Sequence, residues 1–381
     1  MGSNRLKRHP MNLIIDSHLD LAWNALGWNR DITETVEQIR EREAGMTQPR
    51  RKGSTISLPE LQKSGVAICL ATLLVRARKD ICPKQGYLRN DLDFRCQELA
   101  CAMAKGQLAY YRLLETQGHL RMLRDRKSLK QHWKTWDVKK DGSFRENRKL
   151  PIGIILSMEG ADPIVSPAQV GEWWEDGLRV VGLAHYGQGA YAHGTGGDGP
   201  LTPRGRELIR ELSRVGMILD LTHSSDSSFF EALDLFEGPV LASHNNCRAL
   251  IPGDRQFSDE QIRLLIERGA VIGSALDAWM LCPGYVLLQT PREKVSLQNV
   301  ADHMDHICQL AGNAHHAAIG SDLDGGFGIE QCPRDLDTIA DLHKLGTILR
   351  ARGYADADVR AIFHGNWLRF FSEALPAGSA G

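Results

Sequence analysis

The chain has 381 residues, 42% of them hydrophobic and 24% charged, an ordinary globular composition with room for one large domain or two small ones. Its 46 Lys and Arg balance 47 Asp and Glu to a formal net charge of −1, which argues against a global field for nucleic acid or an anionic membrane and favours a small ligand. Eight cysteines without a CxxC pair are the usage of a reducing compartment.

The opening MGSNRLKRHPMNLIID is basic, but its apolar run is too short for a signal-peptide core, and no segment reaches the length of a membrane span. The closing ALPAGSAG lacks the apolar stretch of a lipid-anchor signal. These features lead to the expectation of a cytoplasmic protein without membrane or nucleic-acid partners. A homodimer is left open.

Eight short apolar runs follow one another along the chain: LIIDSHLD from Leu13, VAICLATLLV from Val66, IGIILSMEG from Ile152, LRVVGLAHY from Leu178, MILDLTH from Met217, PVLASH from Pro239, AVIGSAL from Ala270 and AAIGSDLDG from Ala317. Continuous rather than alternating hydrophobicity marks strands buried on both faces. Between them lie helical segments with capping residues, including Thr202-Pro203, Ser258 and Ser296. Eight such units predict parallel pairing and closure into a (β/α)₈ TIM barrel spanning residues 1–381, with an inserted helical and basic segment at about 85–150. The competing open doubly wound sheet needs a Gly-rich turn after its first strand, and SHLDLAWN is not one.

Within the insertion, LDFRCQELACAMAKGQLAYYRLLETQ reads as a long helix. From Arg121 to Lys149 come eleven Lys/Arg against four Asp/Glu, with Trp133 and Trp136 interleaved. A nucleic-acid patch and a solvated helix or hairpin packing its tryptophans on the barrel are the two readings, and the lack of a matching basic surface elsewhere favours the second.

Polar side chains close the apolar runs. His18 and Asp20 are spaced i, i+2 and so share a side of an extended strand. Glu159, His185, His223 and His244 end the third to sixth runs. In such barrels the C-terminal rim carries the active site. Imidazoles and carboxylates without thiolate suit zinc, and equally manganese, iron or cobalt. The ligand count predicts two ions: His18 and Asp20 serving one, His223 and His244 the other, and Glu159 bridging, with positions left for a shared hydroxide.

In SDLDGGFG of the eighth run, Asp322 is the candidate general acid and base. A structural Asp-Gly-Gly turn around Asp324 and a phosphate cradle are the alternatives. His303 and His306 are expected on a solvated helix face, His315 and His316 at the opposite end of the barrel, and Cys247 as a bystander thiol.

DSHLDL, SMEG, LDLTHSS, LASHNN, IGSDLDG and the closing GNWLRFF resemble, in order and in strand position, the motifs of the membrane dipeptidase (renal dipeptidase) family of the amidohydrolase superfamily, over Met11 to about Phe371. The resemblance implies zinc ligation by His18, Asp20, Glu159, His223 and His244, acid/base action by Asp322, oxyanion binding by His185, and a grip on the substrate's terminal carboxylate by Arg255. It also implies dipeptide substrates, with tolerance for a C-terminal D-residue. LAHY, where Thr often precedes the His, and the loop YAHGTGGDG depart from the family pattern and put the pocket's shape in question. The rival functions are another amidohydrolase acting on a cyclic amide, ester or phosphotriester, and a catalytically silent metal-binding barrel.

Overall fold

In the computed structural model, residues 12–48, 50–79, 92–136 and 150–378 are described. The eight apolar runs form eight parallel strands: β1 (Ile14–Leu19), β2 (Val66–Leu74), β3 (Ile152–Glu159), β4 (Leu178–Gly182), β5 (Ile218–Asp220), β6 (Val240–Leu241), β7 (Ile272–Ser274) and β8 (Ala317–Ile319). β1 to β6 pair side by side in chain order. A parallel bridge from Ala242 to Ile272 continues the sheet to β7, which pairs with β8. The fold is the expected (β/α)₈ barrel, and its strands are buried along their whole length.

Side chains close the ring between β8 and β1. Ser17 donates its hydroxyl to the Ile319 carbonyl at 3.1 Å, and Asp16 accepts from the Ser321 amide at 2.9 Å. Ser17 also contacts the Ser243 carbonyl across the barrel. It reaches that far because Gly273 and Gly320 line its path: a Cβ at either would collide with Ser17 Oγ and the Ser243 carbonyl.

One strand of the barrel sheet was not expected from the sequence. Leu120–Met122 pairs with the first residues of β3, whose later residues pair with β4. Three residues are too few for a period to show. The long helix of the insertion spans Gln97–Thr116 and buries Ala100, Ala104, Leu108 and Tyr111, the i, i+4 stripe of an amphipathic helix. Tyr111 donates to the Thr72 carbonyl at 2.9 Å and accepts from the Ala22 amide at 3.0 Å, tying the helix to the ends of β1 and β2. Trp136 is buried and the ring of Trp133 lies 5.2 Å from that of His364, so both tryptophans pack on the barrel as expected. The basic residues after Trp136, through Lys149, lie outside the described residues.

The anticipated caps are present. Thr202 accepts from the Gly205 amide at 3.0 Å at the head of Pro203–Val215, and Ser258 forms a reciprocal capping box with Gln261 at the head of Asp259–Glu267. His303 differs from expectation. On the helix Leu297–Ala311 it is buried, not solvated, and its Nδ1 accepts from the Cys247 amide at 3.0 Å. Cys247 is a buried thiol whose pKa burial pushes up, in line with a bystander. Among the described residues no helix is long and apolar enough to cross a membrane.

Candidate metal centre and substrate pocket

Each polar residue expected at the rim sits on or just beyond a strand end. His18 is in β1 and Asp20 follows it, Glu159 closes β3, and His185, His223 and His244 each lie three residues past the ends of β4, β5 and β6. The backbone turns sharply at two of the rim positions, where His223 (φ 65) and Asp322 (φ 57) adopt left-handed conformations. Such conformations cost a non-glycine residue energy and persist where surrounding structure holds them.

The six side chains converge on Glu159. Its Oε2 lies 3.5 Å from His18 Nε2, which is also 3.6 Å from Asp20 Oδ2 and 3.7 Å from Asp322 Oδ1. Its Oε1 lies 3.1 Å from His223 Nε2, 3.2 Å from His244 Nε2 and 3.7 Å from His185 Nε2. The two oxygens of one carboxylate therefore face two separate nests of donors. Donor groups within reach of a common ion recur as His18, Asp20 and Glu159; as His18, His244 and Asp322; and as Glu159, His185 and His223.

The nests fit a cation. His18 Nε2 and Asp20 Oδ1 are buried and lack a hydrogen-bond partner, an arrangement that costs free energy unless something polar or charged occupies the space between them. The second rings are oriented by hydroxyls. His223 Nδ1 lies 3.0 Å from Thr195 Oγ1 and His244 Nδ1 lies 2.9 Å from Ser243 Oγ. Thr195 directs its own hydrogen toward the His223 carbonyl, and Ser243 directs its hydrogen toward Thr222 Oγ1. In the tautomer in which both Nδ1 atoms donate to these hydroxyls, both Nε2 lone pairs point inward, the outer support of a metal-binding imidazole.

The electrostatics agree. Burial, reinforced by Arg255, holds the pKa of His223 well below the ordinary histidine value, and burial and His18 do the same for His244. Both rings are held in the neutral form, the form able to accept a metal ion, whereas the neighbouring carboxylates favour charge on His18 while no ion is bound. Burial opposes charge on His18, but Glu159 and Asp20 outweigh it and raise its pKa. Burial raises the Asp322 carboxyl well above the usual range, and the nearby Glu159 and Asp20 charges add to this against His18.

A cavity of about 300 Å³ opens over this centre, lined by Asp20, Glu159, His185, His223, Arg255 and Asp322. Arg255 is buried on its wall, with Nη1 donating to Asn245 Oδ1 at 2.8 Å and Nη2 to the His244 carbonyl at 2.9 Å. Two of its five N–H groups are used there. Among the described residues no hydrogen bond is seen from the others.

A family profile described as "Membrane dipeptidase (Peptidase family M19)" matches residues 6–378. The chain belongs to this family. Among curated relatives of this membrane dipeptidase family member, it is 31% identical over 204 residues to dipeptidase tcpJ of Claviceps purpurea, covering 52% of this chain and 45% of that one. It is 28% identical over 239 residues to dipeptidase verJ of Clonostachys rogersoniana, covering 61% and 56%. The match thus spans about half the length of these relatives. Two solved structures share the fold. A dipeptidase of family M19 superposes with a TM-score of 0.72 at 20% identity over 97% of this chain and 100% of the other. A metallopeptidase from Rhodobacter sphaeroides, liganded with a phosphinate mimic of the dipeptide L-Ala-D-Ala, superposes at 0.73 and 21% identity over 96% and 99%.

The membrane dipeptidase fold of this chain also brings residues to the site that the strand-end pattern did not reveal. Asp277, Trp279, Arg76 and Arg50 line the cavity, and Asn245 orients Arg255. Asp277 is buried enough that its carboxyl is pushed up to about 7. Asp324 is taken up by structural contacts. Its Oδ1 accepts from Thr55 N at 2.8 Å and Thr55 Oγ1 at 2.7 Å, while Oδ2 accepts from Ser54 Oγ at 2.8 Å and lies 3.4 Å from Arg30 Nη1. Asp324 thereby clamps the loop that presents Asp322.

Proposed function

We propose that this chain is a metal-dependent dipeptidase with two zinc ions, held by His18, Asp20, Glu159, His223 and His244, Glu159 bridging them. The observation that carries the reading is the carboxylate of Glu159, whose two oxygens face two different donor nests 3.1 to 3.7 Å away. The ions, when bound, supply an activated water and polarise the scissile carbonyl. Iron, manganese and cobalt suit the same donors, so the metal itself is open to measurement.

The chain's own side chains do the rest. Arg255, buried and braced by Asn245, pairs its free N–H groups with the C-terminal carboxylate of a free dipeptide. His185 directs Nε2 toward the centre and donates to the oxygen that gains charge. Asp322, 3.7 Å from His18, takes a proton from the attacking water and returns it to the departing amine. Its raised pKa suits that exchange, because a carboxyl poised nearer neutrality accepts and releases a proton more readily.

The cavity of about 300 Å³ over the centre brings Arg255, His185 and Asp322 to one small space, which suits a small substrate. A D-residue at the C-terminal position is part of the proposal, supported by the L-Ala-D-Ala mimic bound to the Rhodobacter sphaeroides relative. Turnover of a library of L,L and L,D dipeptides by chain loaded with defined metals tests the reading. Bound metal with no dipeptide hydrolysed under any loading would overturn it.

A further inference from the structure

Arg76 lies just past β2 and is gripped by Asp93. Residues Arg76–Ala77 and Asp93–Phe94 pair as two short parallel strands, with Arg76 N donating to the Leu92 carbonyl at 2.9 Å. Across this ribbon Arg76 Nε and Nη2 reach Asp93 Oδ1 and Oδ2 at 2.7 and 2.8 Å. This is the bidentate fork that fixes a guanidinium plane. The third arm, Nη1, is left pointing inward, and it lies 3.4 Å from Nδ1 of His185.

The loops carrying these residues are held in register by another carboxylate. Asp162, buried beyond β3, accepts from Ala77 N at 2.8 Å through one oxygen and from Ala190 N at 2.8 Å through the other. Ala77 follows Arg76, and Ala190 lies on the loop after His185. The distance between the guanidinium and the imidazole is therefore set by backbone anchors on both sides.

A guanidinium has donors and no acceptor. Where it faces an imidazole nitrogen, that nitrogen must offer its lone pair, and the proton of a neutral ring moves to the other nitrogen. We infer that Arg76, aimed by Asp93, is a positioning residue that fixes His185 as the Nε2–H tautomer. Nε2 of His185 is the atom that faces the centre, 3.7 Å from Glu159 Oε1. A ring in the opposite tautomer would turn a lone pair toward the negative oxygen that forms there. The catalytic consequence rests on the dipeptidase reading. The tautomer assignment does not.

Two readouts separate them. In full-length chain carrying isotope-labelled histidine and supplied with zinc, long-range nitrogen–proton correlations report which nitrogen of His185 is protonated, with H185N identifying the signal. Wild type should show Nε2–H, and R76M should populate the Nδ1–H form. In the same R76M protein, kcat for a dipeptide should fall roughly 10- to 100-fold, less than the roughly 10² to 10³-fold that complete loss of one oxyanion donor costs, with KM nearly unchanged. R76K, which keeps a donor but not the fork, should fall between. D93N keeps the side-chain shape and weakens the fork, so it carries the test if R76M does not fold. An Nδ1–H ring in wild type, or a ring unchanged by both R76M and D93N, overturns the inference. A tautomer switch in a chain that hydrolyses no dipeptide upholds it and sinks the dipeptidase reading instead.

Discussion

His223 Nε2 and His244 Nε2 lie 3.1 Å apart, each within 3.2 Å of the same oxygen of Glu159. With their Nδ1 protons committed to Thr195 and Ser243, the two lone pairs and the carboxylate oxygen crowd one point. Only a cation there turns mutual repulsion into attraction. About two divalent ions per chain are expected after zinc-supplemented purification, by elemental analysis. Glu159→Gln should weaken binding of both, because a neutral amide offers one weaker oxygen where the carboxylate serves two nests. Titration calorimetry showing one site lost and the other intact would speak against bridging.

Asp322 is expected to act in proton transfer rather than in holding metal. Asp322→Asn should keep the metal content and lower kcat by on the order of 10² to 10⁴-fold. Near-normal turnover with full metal content would remove Asp322 from that role.

Arg255 should read the substrate's free carboxylate. A charge-assisted pair in this buried wall is worth roughly 1.5 to 3 kcal/mol, so wild type should prefer a dipeptide over its C-terminal amide by roughly 10- to 100-fold in kcat/KM. Arg255→Ala should abolish the preference, and Arg255→Lys should weaken it, since an ammonium cannot hold Asn245, the His244 carbonyl and a carboxylate with one planar fork. Equal hydrolysis of acid and amide by wild type would favour a rival amidohydrolase substrate.

The clamp beneath Asp322 predicts a loss of stability as well as of activity. Asp324→Ala leaves Arg30 buried with Glu43 as its remaining carboxylate partner among the contacts described and leaves Thr55 N without its acceptor. Breaking a buried pair costs about 3–5 kcal/mol, and the surviving Glu43 contact puts the expected loss near the lower end, about 3 kcal/mol. Urea unfolding measures it. A change under about 1 kcal/mol would show that the network is not holding the loop.

Acid sensitivity should come in part from His132. Its Nε2 donates to the Ala67 carbonyl at 2.9 Å, its Nδ1 is buried with no partner, and burial lowers its pKa from 6.5 to about 4. The unfolded chain takes up this proton before the folded one does. Stability is therefore fully present above pH 6.5, falls as the pH drops toward about 4, and loses nothing more from this group below that value. The loss amounts to at most about 3 kcal/mol. Replacing His132 by Gln should flatten that part of the stability curve, as seen in urea midpoints across the window, and an unchanged slope would place the titration elsewhere.

The barrel and the core of its site were legible because both obey short-range rules. Val66–Leu74 and Ile152–Glu159 are buried on both faces, so they read as unbroken apolar runs. A polar residue closing such a run is carried to the rim by the strand and the turn that follows it, which is why Glu159, His223 and His244 could be assigned to the rim without coordinates. His303 was also within reach: it lies i+3 from Val300 and i+4 before Ile307, on the buried face of its helix. Its polarity suggested water, but the Cys247 amide supplies the partner that lets it stay inside.

Other features belonged to tertiary structure alone. Arg76 and His185 are 109 residues apart, Asp324 and Thr55 are 269 apart, and Ser17 finds the Ile319 carbonyl over 302. In sequence Arg76, Thr55 and Ser17 are ordinary polar residues with no period or cap to mark them, and nothing pairs His185 or Asp324 with its distant partner. Their roles arise when ring closure brings distant loops together and removes water from between them, leaving each buried donor to find an acceptor among whatever residues the fold has placed there.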